Sequence, residues 1–461
     1  MSKHAIHFIL LLINSVFVCC NSKPTHSETY FGGKIINPKS NYVVLHSMQK
    51  VIDTLVLEKD NSFLGKLEIA NEGLYYFIHG NESQYIYLEP QDSLMLRLNT
   101  WYFDESIVYA GKGAERNNML IDCFLENEKD NQIFYKLNLL EPKEFHTKTD
   151  SLLNLKLKTL DEYLAKNRNE TPDFEYILKT ALTYPVYTRI ERYPVAHSKI
   201  TNKTIFQNID QKFYIHRKSV RINNDTLMFF PPHSKYVGNY LYNITYALGH
   251  TPMNNEYPSD FTVDLLMNID KNLTSKEFKN AFLKQTVIGH FYRRSSCNVY
   301  QETFDTFFKL STNDKDKKLV NQLLSDCKIL NKGQSLADFK ITNFNNRKKS
   351  IKELTKNKNT FLFFWNPVYV SPEYISSRIN YLTQQFPHIQ FIQIRIDGDL
   401  KETIHELDTK NQFFITPNND ANKFLTSKMP RAIIMNKKGV ITNGFASISS
   451  KKIHSELKRL K

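Results

Sequence analysis

Cysteine is scarce in this 461-residue chain: there are five, two of them adjacent at Cys19 and Cys20, and none follows Cys327. The others, Cys123, Cys297 and Cys327, are few and widely spaced, which excludes a disulfide-dense small scaffold. Glycine at 14 and proline at 16 are too few for a collagen-like or low-complexity chain. Only His7 to Val18 is apolar enough to consider for a membrane, and it falls short of the roughly 20 residues that a spanning helix needs, so a polytopic membrane protein is excluded. There is no His-Glu-x-x-His, no zinc-ligand spacing, no Gly-x-Ser-x-Gly around Ser371 and no Gly-rich dinucleotide fingerprint, so no metal and no cofactor is expected. Asp397-Gly398-Asp399 reads as a solvated strand-end turn. Zinc-finger spacings, RNA-binding aromatic motifs and long arginine tracts are also missing, which leaves no case for nucleic acid.

What is present is enough to fold. Hydrophobic residues make up 41% and aromatics 13%, so real cores can be buried, and the length corresponds to about two to four domains. The net charge of +14 is unevenly spread: residues 331–461 carry 22 basic and 10 acidic side chains, which leaves only +2 for residues 1–330. That excess is either a solvated basic surface or an attraction to an anionic partner, with Arg347-Lys348-Lys349 and Lys451-Lys452 to Lys461 as the groups that would make the contact.

Residues 1–20 have the charged-then-apolar pattern of a secretory signal, with Lys3 ahead of Phe8 to Val18. The run ends at cysteine, as in bacterial lipoprotein signals, and Cys20 is the candidate lipidation site because Cys19 is a small residue before the cut. A plain signal peptide cut near the same point is the alternative. Asn21-Ser22-Lys23 holds no aspartate and no acidic run, so the expectation is an outer-membrane lipoprotein facing the periplasm, anchored by lipid through a tether at 21–29. The three remaining cysteines then read as buried free thiols, although a Cys297–Cys327 pair stays open.

Three regions follow. Residues 30–114 show short β-rich runs, among them Tyr42 to Leu45, Val51 to Leu57, Ser62 to Ile69, Leu74 to Ile78, Gln84 to Leu88 and Ser93 to Leu98, with turn residues between them, which predicts a small all-β sandwich. Gly111 to Asn118 lacks the Gly-Lys-Ser/Thr ending of a phosphate loop. Residues 115–330 read as mostly helical, with Asp173 as an N-cap, Thr274 and Glu277 as a capping box, breaks at Pro185 and Pro194, and a tyrosine stripe at Tyr236, Tyr240, Tyr242 and Tyr246 read as core. Residues 331–461 alternate: strands at Phe361 to Trp365, His388 to Ile396, Arg431 to Met435 and Val440 to Phe445, and helices at Pro372 to Gln385, Lys401 to Leu407 and Ser450 to Leu460. This is an α/β domain with a mixed sheet and flanking helices.

These last residues resemble the thioredoxin-like domain of the TlpA-type envelope thiol-disulfide oxidoreductases. Gly333-Gln334-Ser335-Leu336-Ala337-Asp338-Phe339 resembles the family's opening motif, Phe364-Trp365 its Phe-Trp, Met429-Pro430-Arg431 its cis-proline loop, and Asn436-Lys437-Lys438-Gly439 its closing hairpin. Upstream, Tyr109 to Asn118 is similar to the β domain and helical segment that accompany such domains in envelope lipoproteins. The family's Cys-x-x-Cys is lost. The segment Asn366 to Glu373 puts Tyr369 and Pro372 at the cysteine positions, or Val370 and Glu373 after a one-residue shift, and Phe363 stands where many thioredoxins keep a buried polar group. Thiol exchange needs two sulfurs. The expectation is a redox-inactive binding or scaffolding module for an envelope protein or peptide, with a degenerate redox loop at Tyr369, Val370, Ser371, Pro372 and Glu373. Trp365, Tyr369, Met429, Pro430 and Arg431 are the candidate peptide contacts, through a strand added beside Pro430. The alternative is an oxidoreductase that uses Cys297 or Cys327 instead.

Overall fold

The computed structural model describes residues 28–460 apart from 49, 70, 204, 207–208, 253–257 and 398–402. The expected signal segment, the lipidation site Cys20 and most of the tether lie outside the described residues. The chain forms two compact units, Met1–Glu128 with Asn169–Leu178 and Lys129–Arg168 with Lys179–Lys461. The boundary expected near residue 330 falls inside the second of these.

The first unit is built on β1 (Thr29–Ile36), β2 (Tyr42–Ser47), β3 (Lys50–Val56), β4 (Ser62–Leu67), β5 (Gly73–His79), β6 (Glu82–Leu88), β7 (Ser93–Asn99) and β8 (Val108–Ala110). They make two four-stranded sheets, β4-β1-β7-β8 and β3-β2-β5-β6. Alternate residues such as Val43, Leu45, Phe63, Leu94, Leu96 and Leu98 face one shared core, the period of two that a half-buried strand requires. Strand β1 was not among the runs read from the sequence, and Gly32-Gly33 at its centre gives it no side chains to alternate. The glycines instead allow close approach: a Cβ at Gly33 would meet the Leu96 carbonyl oxygen at 2.0 Å. Gly111 and Gly113 also have positive φ, 87° and 94°, and pack against Ser93 and Asp92. Beyond them Asn117 copies a strand partner, its Oδ1 accepting from Tyr87 N–H and its Nδ2 donating to Tyr87 C=O, both at 2.8 Å. The glycine-rich stretch is a structural joint.

The helices are α1 (Ala114–Leu137), α2 (Pro142–Lys166), α3 (Pro172–Thr201), α4 (Pro231–Tyr246), α5 (Ser259–Asn272), α6 (Lys276–Arg294), α7 (Gln301–Leu310) and α8 (Asp314–Ile329). Pro185 and Pro194 lie inside α3 and do not end it. Tyr184, Val186, Ile190 and Tyr193 are buried along the same helix, and that packing outweighs the roughly 3 kcal/mol that an interior proline costs. Two caps sit beside their expected positions. Thr171, not Asp173, accepts from Phe174 N–H, and Ser275, not Thr274, accepts from Phe278 N–H. Tyr236 and Tyr246 are buried, and Tyr240 and Tyr242 pack against the same core, as a stripe at helical spacing implies. The free-thiol expectation fails for two cysteines: packing of α6 and α8 into one core brings Cys297 and Cys327 to a Cα separation of 5.1 Å, and they form a disulfide. Cys123 is buried and takes part in no disulfide.

The last region contributes β9 (Lys340–Asn343), β10 (Lys348–Ser350), α9 (Ile351–Leu354), β11 (Thr360–Trp365), α10 (Pro372–Gln385), β12 (Gln390–Arg395), β13 (Gln412–Phe414), β14 (Arg431–Met435), β15 (Ile441–Ala446) and α11 (Ile453–Lys458). One mixed sheet has the order β10-β9-β13-β12-β11-β14-β15. The central strand β11 runs parallel to β12 and antiparallel to β14, and all six of its residues are buried, which is why it reads as an unbroken apolar run. The β11-α10-β12 crossover followed by the β14-β15 hairpin is the arrangement that the resemblance implied. The helix expected at Lys401 to Leu407 is absent where described, since residues 403–407 are irregular with a turn at 405–406. Gln412 explains it: its amide accepts from Ile404 N–H at 2.8 Å and donates to the Ile404 and Leu407 carbonyls at 2.9 Å, taking backbone groups that a helix would use. Among the described residues no helix is long and apolar enough to cross a membrane.

Candidate functional site

The loop from β11 to α10 is a tight turn made by Asn366, whose side chain accepts from Val368 N–H at 2.9 Å while its carbonyl accepts from the N–H groups of Tyr369 and Val370. The turn lifts Val368 to 80% exposure and Tyr369 to 48%. Ser371 then caps α10 by accepting from Tyr374 N–H, and Pro372 occupies the first turn, where its missing N–H costs nothing. Opposite lies Met429-Pro430-Arg431, which leads into β14. Between the two is a cavity of about 450 Å³.

Of the residues singled out from the sequence, Tyr369, Val370, Ser371, Met429, Pro430 and Arg431 line this cavity. Pro372 and Glu373 do not. Trp365 is a correction: it is 3% exposed, belongs to the hydrophobic core with Ile375 and Ile404, and lies under the Arg395 guanidinium at 5.0 Å, so it presents no contact surface. Sequence reasoning missed Tyr292, Phe363, Tyr374 and the Ala446 to Ser449 wall. Tyr374 was within reach, being two residues past the helix start, whereas no local signal connects Tyr292 to a loop 138 residues away.

The proline loop also departs from expectation. Among the described residues no peptide bond is cis, so Met429–Pro430 is trans. The backbone that was to receive an added strand is already engaged. Met429 N–H donates to Ser427 Oγ at 3.4 Å, its carbonyl accepts from Arg431 Nε at 3.3 Å, and the Pro430 carbonyl accepts from the Tyr292 hydroxyl at 2.8 Å. Burial pushes the Tyr292 phenol well above its ordinary pKa, so it stays a donor. Strand addition beside Pro430 would have to break these bonds.

Arg431 does not offer its charge to the cavity. Its guanidinium is fully buried, pairs with Asp326 Oδ2 at 2.9 Å and also bonds to Ser427. Asp326, equally buried, accepts from Thr426 N–H at 3.0 Å and Oγ1 at 2.6 Å, and from Ser427 N–H at 3.3 Å and Oγ at 3.0 Å. One carboxylate on α8 thus fixes the whole approach to Pro430. The lining holds no thiol and no carboxylate. What remains is an aromatic and apolar hollow with hydroxyls at Ser447 and Ser449, beside an exposed ridge of Tyr374 and Tyr381 on α10. Such a surface suits the burial of a neutral, apolar or aromatic group.

A second polar cluster lies in the helical region. Glu191, fully buried, accepts from Arg217 at 2.8 and 2.6 Å and faces His216 Nε2 at 3.0 Å. Burial works to raise its pKa, but Arg217 and His216 bring it below the ordinary carboxylate value. Arg217 in turn lies over Tyr214 at 3.9 Å, so the cluster ties α3 to the 211–218 turn and reads as structural. Among the described residues no group of three His, Cys, Asp or Glu side chains is placed to hold a metal ion.

No family model matches the chain, and no curated protein is similar to it at a significant level. Solved structures are similar to part of it. A putative thiol-disulfide oxidoreductase from Bacteroides vulgatus shows 23% identity over 29% of this chain and 98% of its own, with a TM-score of 0.25. A putative thiol:disulfide interchange protein DsbE from Chlorobium tepidum shows 15% identity over 28% of this chain and 98% of its own, with a TM-score of 0.24. A thiol peroxidase from Chromobacterium violaceum shows 13% identity over 28% of this chain and 86% of its own, with a TM-score of 0.22.

Proposed function

We propose that the protein is a cell-envelope lipoprotein whose last region is a thioredoxin-like binding module without thioredoxin chemistry. The observation that carries this reading is the cavity at the degenerate redox loop: it keeps the position of an active site, is lined by Tyr292, Tyr369, Tyr374, Met429 and Pro430, and has no sulfur nucleophile. Because the neighbouring backbone is internally bonded, recognition works through a side-chain pocket rather than an added strand. The ligand is a protein segment that inserts an apolar or aromatic side chain while the Tyr374 and Tyr381 ridge covers its flank. The anionic-surface contact proposed for the basic last region would act apart from this site, because Lys348 and Lys349 lie on β10, the edge strand farthest from β14 and β15.

The test is selection of random short peptides on the purified mature protein, with Ser449→Trp as the counter-screen, because Ser449 is an exposed wall residue whose enlargement fills the mouth. Enrichment of sequences with an apolar or aromatic anchor that lose binding to the plugged variant is expected. Equal enrichment on both proteins would remove the cavity as the site.

A second reading, thiol-disulfide exchange, is favoured by the Cys297–Cys327 bond and by the partial exposure of Cys297. Insulin reduction with dithiothreitol separates the two: no turnover accords with the binding module. Turnover lost in a Cys297→Ser/Cys327→Ser protein would instead make the chain an enzyme.

A further inference from the structure

Two stretches of the helical region hold the two walls of the cavity, and they end at cysteines bonded to each other. The first is the end of α6. Tyr292 donates to the Pro430 carbonyl at 2.8 Å, and Ser295, in the left-handed region at φ 50°, accepts from Ser447 N–H through Oγ at 2.9 Å and from Asn443 Nδ2 through its carbonyl at 2.7 Å. The second is the end of α8, where Asp326 holds Thr426, Ser427 and Arg431. Cys297 lies two residues past Ser295, and Cys327 directly follows Asp326. Their disulfide therefore ties the segment holding the Ser447 wall to the segment holding the Met429-Pro430-Arg431 wall.

We propose that the Cys297–Cys327 disulfide is a redox-addressed clamp on the cavity, closed when oxidised and loosened by a dithiol protein. The proposal rests on reading that cavity as the binding site and adds its regulation. Exposure sets the order of events: Cys297 is partly exposed in the loop after α6, whereas Cys327 is buried on α8. A thiolate of the dithiol attacks Cys297 Sγ, the Sγ–Sγ bond breaks, and Cys327 leaves as a thiolate that takes a proton from water. The second thiol of the reductant then attacks its own sulfur in the mixed disulfide and releases Cys297 as a thiol. The reductant becomes a disulfide, and two electrons and two protons pass to the two cysteines.

The effect is local because α8 keeps Val320 and Leu323, and α6 keeps Val287 and Phe291, in the hydrophobic core without the bond. What loosens is the left-handed turn at Ser295, the loop behind it and the last turn of α8. Those are the stretches that hold Asn443, Ser447 and, through Thr426, Ser427 and Arg431, the 424–431 loop.

The test is hydrogen exchange on the intact mature protein, oxidised and after dithiothreitol, alongside the Cys297→Ser/Cys327→Ser double variant. Amides in 424–431 and 443–449 are expected to exchange about tenfold faster when the bond is open, while β11, β12 and the β sandwich stay unchanged. The double variant should match the reduced wild type without reductant. Unchanged exchange in those segments, a uniform rise across the second unit, or failure of dithiothreitol to open the bond without denaturant would each overturn the clamp. The readout is backbone opening, not ligand binding, so a cavity that takes no peptide would sink the binding-module reading and leave this measurement independent.

Discussion

Replacing Asp326 by Asn keeps the shape of the α8 side chain and removes its charge, which leaves the fully buried Arg431 guanidinium without a counterion. Breaking one side of a buried ion pair costs about 3–5 kcal/mol. The carboxylate also accepts four bonds from Thr426 and Ser427, and an amide can accept only at one end, so the upper part of that range applies: about 4–5 kcal/mol. The assay is urea unfolding followed by the fluorescence of Trp365 in a Trp101→Phe background, since the chain has two tryptophans and Trp101 is 73% exposed on the other unit. In the same background, Asp326→Leu/Arg431→Met removes both charges and should lose less than Asp326→Asn alone, and less than the sum of Asp326→Leu and Arg431→Met by a coupling of at least about 2 kcal/mol. Single variants that each lose under about 1 kcal/mol and add in the double variant would show that water reaches the pair. The claim that one carboxylate fixes the Pro430 approach would then be wrong.

Other consequences are as direct. His290, buried and beside Arg294 and Arg293, is held down to a pKa of about 4 by burial first and by the two guanidinium groups second. The unfolded chain therefore takes up a proton near pH 6.5 that the folded protein refuses until about 4; stability falls as pH drops through that window, by about 1.4 kcal/mol per pH unit, and His290→Phe should flatten that part of the unfolding profile. Gly444 on β15 has no room for a methyl group, because a Cβ there would meet the Leu330 carbonyl oxygen at 2.1 Å; Gly444→Ala should cost about 1–3 kcal/mol in the same urea assay, and a neutral result would mean the strand moves freely. Tyr292→Phe removes the donor to the Pro430 carbonyl, so it should lower stability by about 1 kcal/mol and speed amide exchange around Arg431 without changing that of β12.

Much of the architecture was legible because it depends on near neighbours. Strands β2, β4 and β7 alternate with period two, the central strand β11 is an unbroken apolar run, and the tyrosines of α4 recur at helical spacing. That no cysteine follows Cys327 is likewise a property of the sequence, and no thiol lines the cavity at Tyr369. Local reading failed where a distant group took over. Gly32-Gly33 carries no strand pattern until β7 is known to lie against it, Pro185 and Pro194 read as breaks until the packing around Tyr184 and Tyr193 is counted, and residues 403–407 read as a helix until Gln412 claims their backbone.

By itself, then, the sequence determined the order of the β, helical and α/β regions and the absence of any cysteine after Cys327. Only the tertiary structure decided that Trp365 is core, that Tyr292 occupies the Pro430 carbonyl, that Asp326 takes the charge of Arg431, and that Cys297 meets Cys327. These pairings join residues from 30 to 138 positions apart or depend on which face of a strand is covered. Such contacts form only when cooperative burial of a shared core closes long loops, and no local pattern encodes which distant group will be there to bond.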